Sequence, residues 1–186
     1  MTRPVIGTVI RLQVQRSRLK PGERGARVYD PSPLLEVSAL DIGARGVTGD
    51  GQLDVHHADH PDSRNRRLVN GLSLLPRAHY DRLRQRYGPH LADGVAGESV
   101  LLDTPGPWTE PPGDLELETT DGWLLLTGVQ PAPPCVEFSR FCLDDLQAPV
   151  EQVQAALADL DGGVRGFYAQ TTGSGRVVVG AGLRRA

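Results

Sequence analysis

Cys135, one of two cysteines in the chain, follows directly on the proline-rich run Gln130-Pro-Ala-Pro-Pro-Cys135. Pro131, Pro133 and Pro134 remove three backbone donors and fix the local dihedrals. The run is therefore unsuited to a helix interior or a central strand, and the thiol is expected on a stiff loop leaving the strand-like stretch 123–129. Thiolate is the nucleophilic and metal-ligating form of cysteine, and a nearby cation favours it. Arg140 could supply that cation if the loop folds back, whereas Glu137 opposes it. A thiol held this way is a ligand, a nucleophile or a packed side chain, because free cysteine is among the most buried residue types. Cys142, within Phe141-Cys-Leu143, reads as packing.

Three further groups have the right residue types for chemistry. Residues 46–62 contain Gly46-Val-Thr-Gly-Asp50-Gly and then His56, His57 and His60 among Asp54, Asp59 and Asp62. Imidazoles and carboxylates at this density can hold zinc or another divalent ion, and His56 with His60 has helical i, i+4 spacing, but Pro61 argues against a helix there. A solvated loop is the alternative for the histidines. Gly46, Gly49 and Gly51 point to a tight turn whose amides could face an anion. Ser63-Arg-Asn-Arg66-Arg67 could grip a phosphate or a flat heterocycle by paired hydrogen bonds, or be a solvated charge run. Gly97-Glu98-Ser99, just before an aliphatic stretch, could aim a carboxylate and a free amide into a pocket, or be a turn leading into a strand.

The elements that must position these groups are mainly strands. Stretches 5–14, 34–40, 95–102, 115–119, 123–129, 165–171 and 176–183 have strand composition and length, and 68–75 reads the same way. In the first, Ile6, Ile10, Leu12 and Val14 are expected on one face. Glycine and proline clusters separate the strands, as a β-barrel requires. Two helices interrupt them: 76–87, opened by Pro76 and stopped by Gly88, and a second opened by Pro149 and ended at Gly162, with Val150, Val153, Leu157 and Leu160 as its apolar stripe. Residues 20–33 and 104–113 read as loops.

The 186 residues suit a single domain, 1–186, with room for one core. Aromatic residues make up only 5%, so aliphatic side chains must fill that core. A formal net charge of −3 gives no electrostatic reason to expect nucleic acid or an anionic membrane as partner. The two cysteines build neither a disulfide framework nor a CxxC zinc site, and no apolar run approaches membrane-helix length, so a cytoplasmic protein is expected. The source of electrons for any redox chemistry must lie elsewhere, since no flavin or iron-sulfur motif is visible.

Taken in order, Gly46-Val-Thr-Gly49-Asp50, Arg66, Gly97-Glu98-Ser99, Pro134-Cys135 and Arg165-Gly166 resemble the MOSC domain family, named for the C-terminal domain of molybdenum cofactor sulfurase. The likeness runs from about residue 4 to 183. It implies a mainly β fold with a few helices, a MOSC-type β-barrel, and a role in molybdenum cofactor (molybdopterin) chemistry. In that family the cysteine matching Cys135 carries sulfur or ligates molybdenum in members that reduce N-hydroxylated compounds. The resemblance thus implies Cys135 as catalytic thiolate and metal ligand, with Gly49, Asp50, Arg66, Gly97, Glu98 and Ser99 around the cofactor. It also implies a small-molecule substrate, and a separate electron-donor redox protein or a cofactor-sulfurating enzyme as partner. The alternatives are a sulfur or cofactor carrier without turnover, and a degenerate barrel used for interactions. Three positions depart from the family pattern: Ser99 stands in place of Asn, Gly180-Ala181 in place of Gly-Asp, and His56-His57-Ala58-Asp59 in place of His-His-Gly-Gly. No pyridoxal phosphate is expected, because Lys20, the only lysine, lies in an open Lys-Pro-Gly segment.

Overall fold

The computed structural model describes residues 3–63, 65 and 67–186. In chain order the elements are β1 (Val5–Gln15), β2 (Leu34–Val37), β3 (Ala39–Gly43), β4 (Gly46–Gly49), β5 (Gln52–Leu53), β6 (Leu72–Pro76), α1 (Arg77–Tyr87), β7 (Val100–Asp103), β8 (Leu115–Thr119), β9 (Gly122–Pro131), α2 (Val136–Leu143), α3 (Val150–Leu160), β10 (Phe167–Gln170), β11 (Gly175–Val178) and β12 (Gly182–Arg185).

Seven strands close into a barrel in the order β1, β12, β8, β9, β10, β6, β7 and back to β1. Closure rests on β12, which pairs antiparallel with β8 on one side and with β1 on the other. Within the barrel only β6 and β7 run parallel. The crossover that such a pair requires is made by α1 and the loop after it. β2 extends the sheet beyond β1, while β11, β3, β4 and β5 form a second sheet.

Strand alternation divides the apolar residues between two cores. Leu74, Val100 and Leu102 belong to the cluster that fills the barrel, and Leu75 and Leu101, their immediate neighbours, belong to the cluster under the helices. The buried members of the barrel cluster are all aliphatic, as the low aromatic content requires. The aromatic rings gather instead in the second cluster, where Tyr29, Tyr80 and Phe138 pack with Leu83 of α1, Cys142 of α2 and Leu160 of α3.

Several boundaries differ from the sequence expectation, each for a local reason. On β1 the pairing with β7 slips between Val9 and Arg11. Beyond that bulge the alternation changes, so Val9, Leu12 and Val14 enter the barrel while Ile10 packs on the second cluster. Stretch 34–40 breaks at Ser38 into β2 and β3, and 176–183 breaks at Gly180 (φ +93°) into β11 and β12, which lie in different sheets. Pro76, expected as the first helical residue of α1, is its N-cap in extended backbone, and Pro149 is the N-cap of α3. The stiff loop expected after 123–129 is short: β9 continues to Pro131, and a third helix, α2, starts immediately after Cys135. Prolines end a strand and forbid a helix around themselves, but a helix can begin directly after them.

Candidate functional site

A cavity of about 160 Å³ lies where Gln15 at the end of β1, Ser73 and Leu74 of β6, and Phe167 and Tyr168 of β10 meet the loops around residues 18–29, 55–62 and 96–98. Long-range hydrogen bonds bring these loops together. The N–H of Val55 donates to the carbonyl of Gln15 at 2.8 Å, and the Tyr29 hydroxyl donates to the carbonyl of Val95 at 2.5 Å. Gly97 (φ +84°) permits the contact with the first loop, since a Cβ there would stand 2.7 Å from Leu19.

The lining is rich in cations. Arg18, Lys20, Arg27 and Arg165 face it, against the carboxyls of Asp62 and Glu98, and Arg18 pairs with Asp62 at 3.0 Å. Arg165 is held by its Nη1, which donates to the carbonyl of Pro133 at 3.1 Å, and by the Phe138 ring, whose centroid is 5.2 Å from the guanidinium carbon. Its Nε is buried without a hydrogen-bond partner among the described residues. Burial opposes its charge, but the neighbouring Cys135 sulfur and Tyr29 hydroxyl outweigh that and hold its pKa above the usual arginine value. Glu98 is 3% exposed, and burial pushes its carboxyl up to about 7, against the hydrogen bond it accepts from Tyr80.

Cys135 is half-buried at the N-cap of α2 and packs on the second core cluster. Its carbonyl accepts both the N–H and the hydroxyl of Ser139, at 2.9 and 3.0 Å. Arg165 is tied to the backbone two residues before it, at Pro133, and Cys135 is not itself among the cavity-lining residues.

The other expected site residues are distributed unequally. Gly97 and Glu98 line the cavity; Ser99 lies behind it, with its N–H donating to the Ser73 hydroxyl at 2.9 Å. Gly49 and Asp50 are not in the lining. Asp50 (φ +50°) and Gly51 (φ +76°) form the two-residue turn between β4 and β5, and Gly49 packs against Val37 and Leu40. Arg66 lies outside the described residues. Asn65 uses its side chain as scaffold, donating to the carbonyl of His56 at 2.9 Å and accepting the N–H of Asn70 at 3.1 Å.

The three histidines do not converge on one point, and no group of three or more potential metal ligands occurs among the described residues. His57 Nδ1 accepts the N–H of Asp59, and His60 Nδ1 accepts that of Asp62 while its Nε2 meets the carbonyl of Arg16 at 3.0 Å. His56 is different: it lines the cavity, and its Nδ1 lies 3.0 Å from Oδ1 of the buried Asp54.

No protein-family model matches the chain, and no curated protein matches it. Solved structures do. The YuaD protein from Bacillus subtilis superposes with a TM-score of 0.66 at 13% identity, covering 98% of this chain and 97% of that one. YiiM from Geobacillus stearothermophilus gives 0.58 at 18% identity, covering 97% and 75%, and YiiM from Escherichia coli gives 0.56 at 17%, covering 100% and 70%. YiiM is a MOSC-domain protein. The fold is a MOSC-type β-barrel.

Within this MOSC-type barrel Arg18 and Arg27 join the lining although no motif marks them, and Asp54 and His56, expected as metal ligands or loop residues, pair with each other. Arg18, Lys20, Arg24 and Arg27 concentrate positive charge in one short loop of a net-acidic chain, which was the available signal. Lys20 likewise lines the cavity, half-buried, where an open segment was expected. For His56 the signal was the Asp-x-His spacing, which lets a carboxylate reach a ring two residues on.

Proposed function

We propose that the protein binds the molybdenum cofactor at this cavity and reduces N-hydroxylated compounds, with Cys135 as the thiolate ligand of the metal. The observation that carries the reading is Arg165: it lines a cation-rich cavity, donates to the carbonyl of Pro133 two residues before Cys135, and keeps a buried Nε without a partner among the described residues. That donor set fits the group. The cofactor is anionic, and guanidinium groups hold oxyanions by paired, charge-assisted hydrogen bonds. Arg18, Arg27 and Arg165 would hold its phosphate end, and Glu98 would fix the adjoining loop through Tyr80. The Gly49-Asp50 turn is left out of this set because of its place in the β4–β5 hairpin. When bound, the cofactor supplies two-electron redox chemistry, and the electrons come from a separate redox protein.

A second reading, a carrier that passes sulfur or cofactor to another protein, is favoured by one observation: Cys135 stands beside the cavity rather than in its lining. Expression in cells that make the cofactor, followed by measurement of bound molybdenum and pterin, tests both. The expected result is both components in wild type and loss of molybdenum in Cys135→Ser; wild type devoid of both overturns the proposal. Turnover of an N-hydroxylated purine with a chemical reductant then marks the enzyme, and binding without turnover marks the carrier.

A further inference from the structure

We infer that His56 is the proton donor to the departing oxygen of the substrate, oriented for that task by the buried carboxylate of Asp54. The inference rests on the cofactor-dependent reduction proposed above.

Asp54 is 2% exposed, and its carboxylate gathers three contacts: Oδ2 accepts the N–H of Gln15 at 2.7 Å, while Oδ1 accepts the N–H of His56 at 2.8 Å and faces His56 Nδ1 at 3.0 Å. An ionised carboxylate only accepts, so the ring proton of neutral His56 belongs on Nδ1, and Nε2 is the nitrogen that gains and loses protons. Nε2 has no hydrogen-bond partner among the described residues. The backbone beneath is fixed on every side, through Asp54 N–H to Val47 at 3.1 Å, Val55 N–H to Gln15 at 2.8 Å, and Asn65 Nδ2 to the His56 carbonyl at 2.9 Å. The Tyr168 ring of β10 flanks the imidazole, with centroids 6.2 Å apart. A side chain 30% exposed within the cavity can both touch a ligand and recover its proton from solvent. Besides Asp54 on its Nδ1, the charged or titratable groups that share the cavity with it are Arg18, Lys20, Arg27, Tyr29, Asp62, Glu98, Arg165 and Tyr168.

Reducing an N-hydroxylated base breaks one N–O bond and consumes two electrons and two protons. The redox protein supplies the electrons. Imidazolium Nε2 gives one proton to the oxygen, which leaves as water instead of hydroxide; the nitrogen takes the second from solvent, and His56 is reprotonated from the same source. General acid catalysis of this kind contributes roughly 10²- to 10⁴-fold.

The test uses cofactor-loaded protein. His56→Gln is expected to keep wild-type molybdenum and pterin, to lose turnover by roughly 10²- to 10⁴-fold, and to lose the limb of the pH profile in which the rate falls as a histidine deprotonates. Imidazole added to His56→Ala restores part of the rate. Independently of activity, nitrogen NMR of the histidine rings is expected to place the proton of neutral His56 on Nδ1 in wild type and to move it in Asp54→Asn. Wild-type turnover and pH profile in fully loaded His56→Gln, or an Nε2–H ring in wild type, overturns the inference. Wild type lacking molybdenum and pterin instead sinks the cofactor reading, and the ring assignment then judges the Asp54–His56 pair by itself.

Discussion

The hydroxyl of Tyr80 donates to the carboxylate of Glu98, lying 3.1 and 2.9 Å from its two oxygens, and accepts the N–H of Ala96 at 2.8 Å. All three residues are buried, so the carboxyl of the cavity wall is held by neutral donors in a site that disfavours charge. Burial raises it from 4.5 to about 7. Between those values the folded chain keeps a proton that the unfolded chain has released. The stabilisation is therefore complete below about pH 4.5 and is lost as pH rises through 7, on the order of 3 kcal/mol. Glu98→Gln keeps an acceptor for Tyr80 and cannot ionise. Urea denaturation at pH 5 and pH 8 is expected to show a fall in wild-type stability that the variant lacks; the same fall in both rules out Glu98 as its source.

His79 sets the opposite dependence. It is fully buried, its Nε2 accepts the N–H of Trp108 at 3.1 Å, and its Nδ1 has no partner among the described residues. Burial, with a smaller contribution from Arg82, lowers its pKa from 6.5 to about 4. The unfolded chain binds the proton first, so this stabilisation is present above pH 6.5 and is lost as pH falls through 4, again on the order of 3 kcal/mol. His79→Gln should narrow the loss between pH 7 and pH 4.5 in the same denaturation assay. Identical acid sensitivity in both proteins would contradict it.

Gly46 is a packing requirement of the segment that carries His56. It has φ +125°, and a Cβ there would stand 2.7 Å from the Cα of His57, a backbone atom that cannot rotate away. Gly46→Ala is expected to cost roughly 2–4 kcal/mol. Gly51→Ala serves as comparison, because Gly51 has φ +76° with open space around it and should cost only about 1 kcal/mol. Thermal denaturation separates the two; equal losses would refute the close approach as the cause.

Arg165→Lys tests the cationic lining without removing charge. Lysine cannot lie flat on Phe138 while donating to Pro133 and presenting a second donor to the cavity. Bound pterin, measured by fluorescence of the released and oxidised group, is expected to fall at least 10-fold with unchanged circular dichroism, corresponding to about 1.4 kcal/mol or more. Full retention of pterin would show that the planar guanidinium is not what grips it.

Elements whose alternation is unbroken could be read directly from the sequence. Stretch 115–119 is β8 to the residue, and 123–129 lies within β9, its partner across the short Thr119–Gly122 connection. Where a strand bulges, as at Ile10, or ends in an irregular turn, as before Val100, composition continues smoothly through a change that only pairing with a distant strand dictates. The site divides along the same line. Gly97-Glu98 was visible because its two residues are adjacent and its glycine adopts a positive φ. The cavity as a whole was not, since Arg18, His56 and Arg165 meet only through pairings such as Gln15 with Val55 and Tyr29 with Val95. Local propensity says nothing about such contacts.

Closure of the barrel by β12 has a consequence for how the chain acquires its structure. Strand 182–185 fills the gap between β1 and β8, so two barrel edges remain open until those residues have left the ribosome. Before that moment β1 and β8 present unpaired amides and carbonyls beside an apolar interior, the combination that invites pairing with other nascent chains. A topology that pairs β1 with β12, far apart in sequence, also makes loop closure slow. The same short strand that completes the barrel thus also removes its two exposed edges.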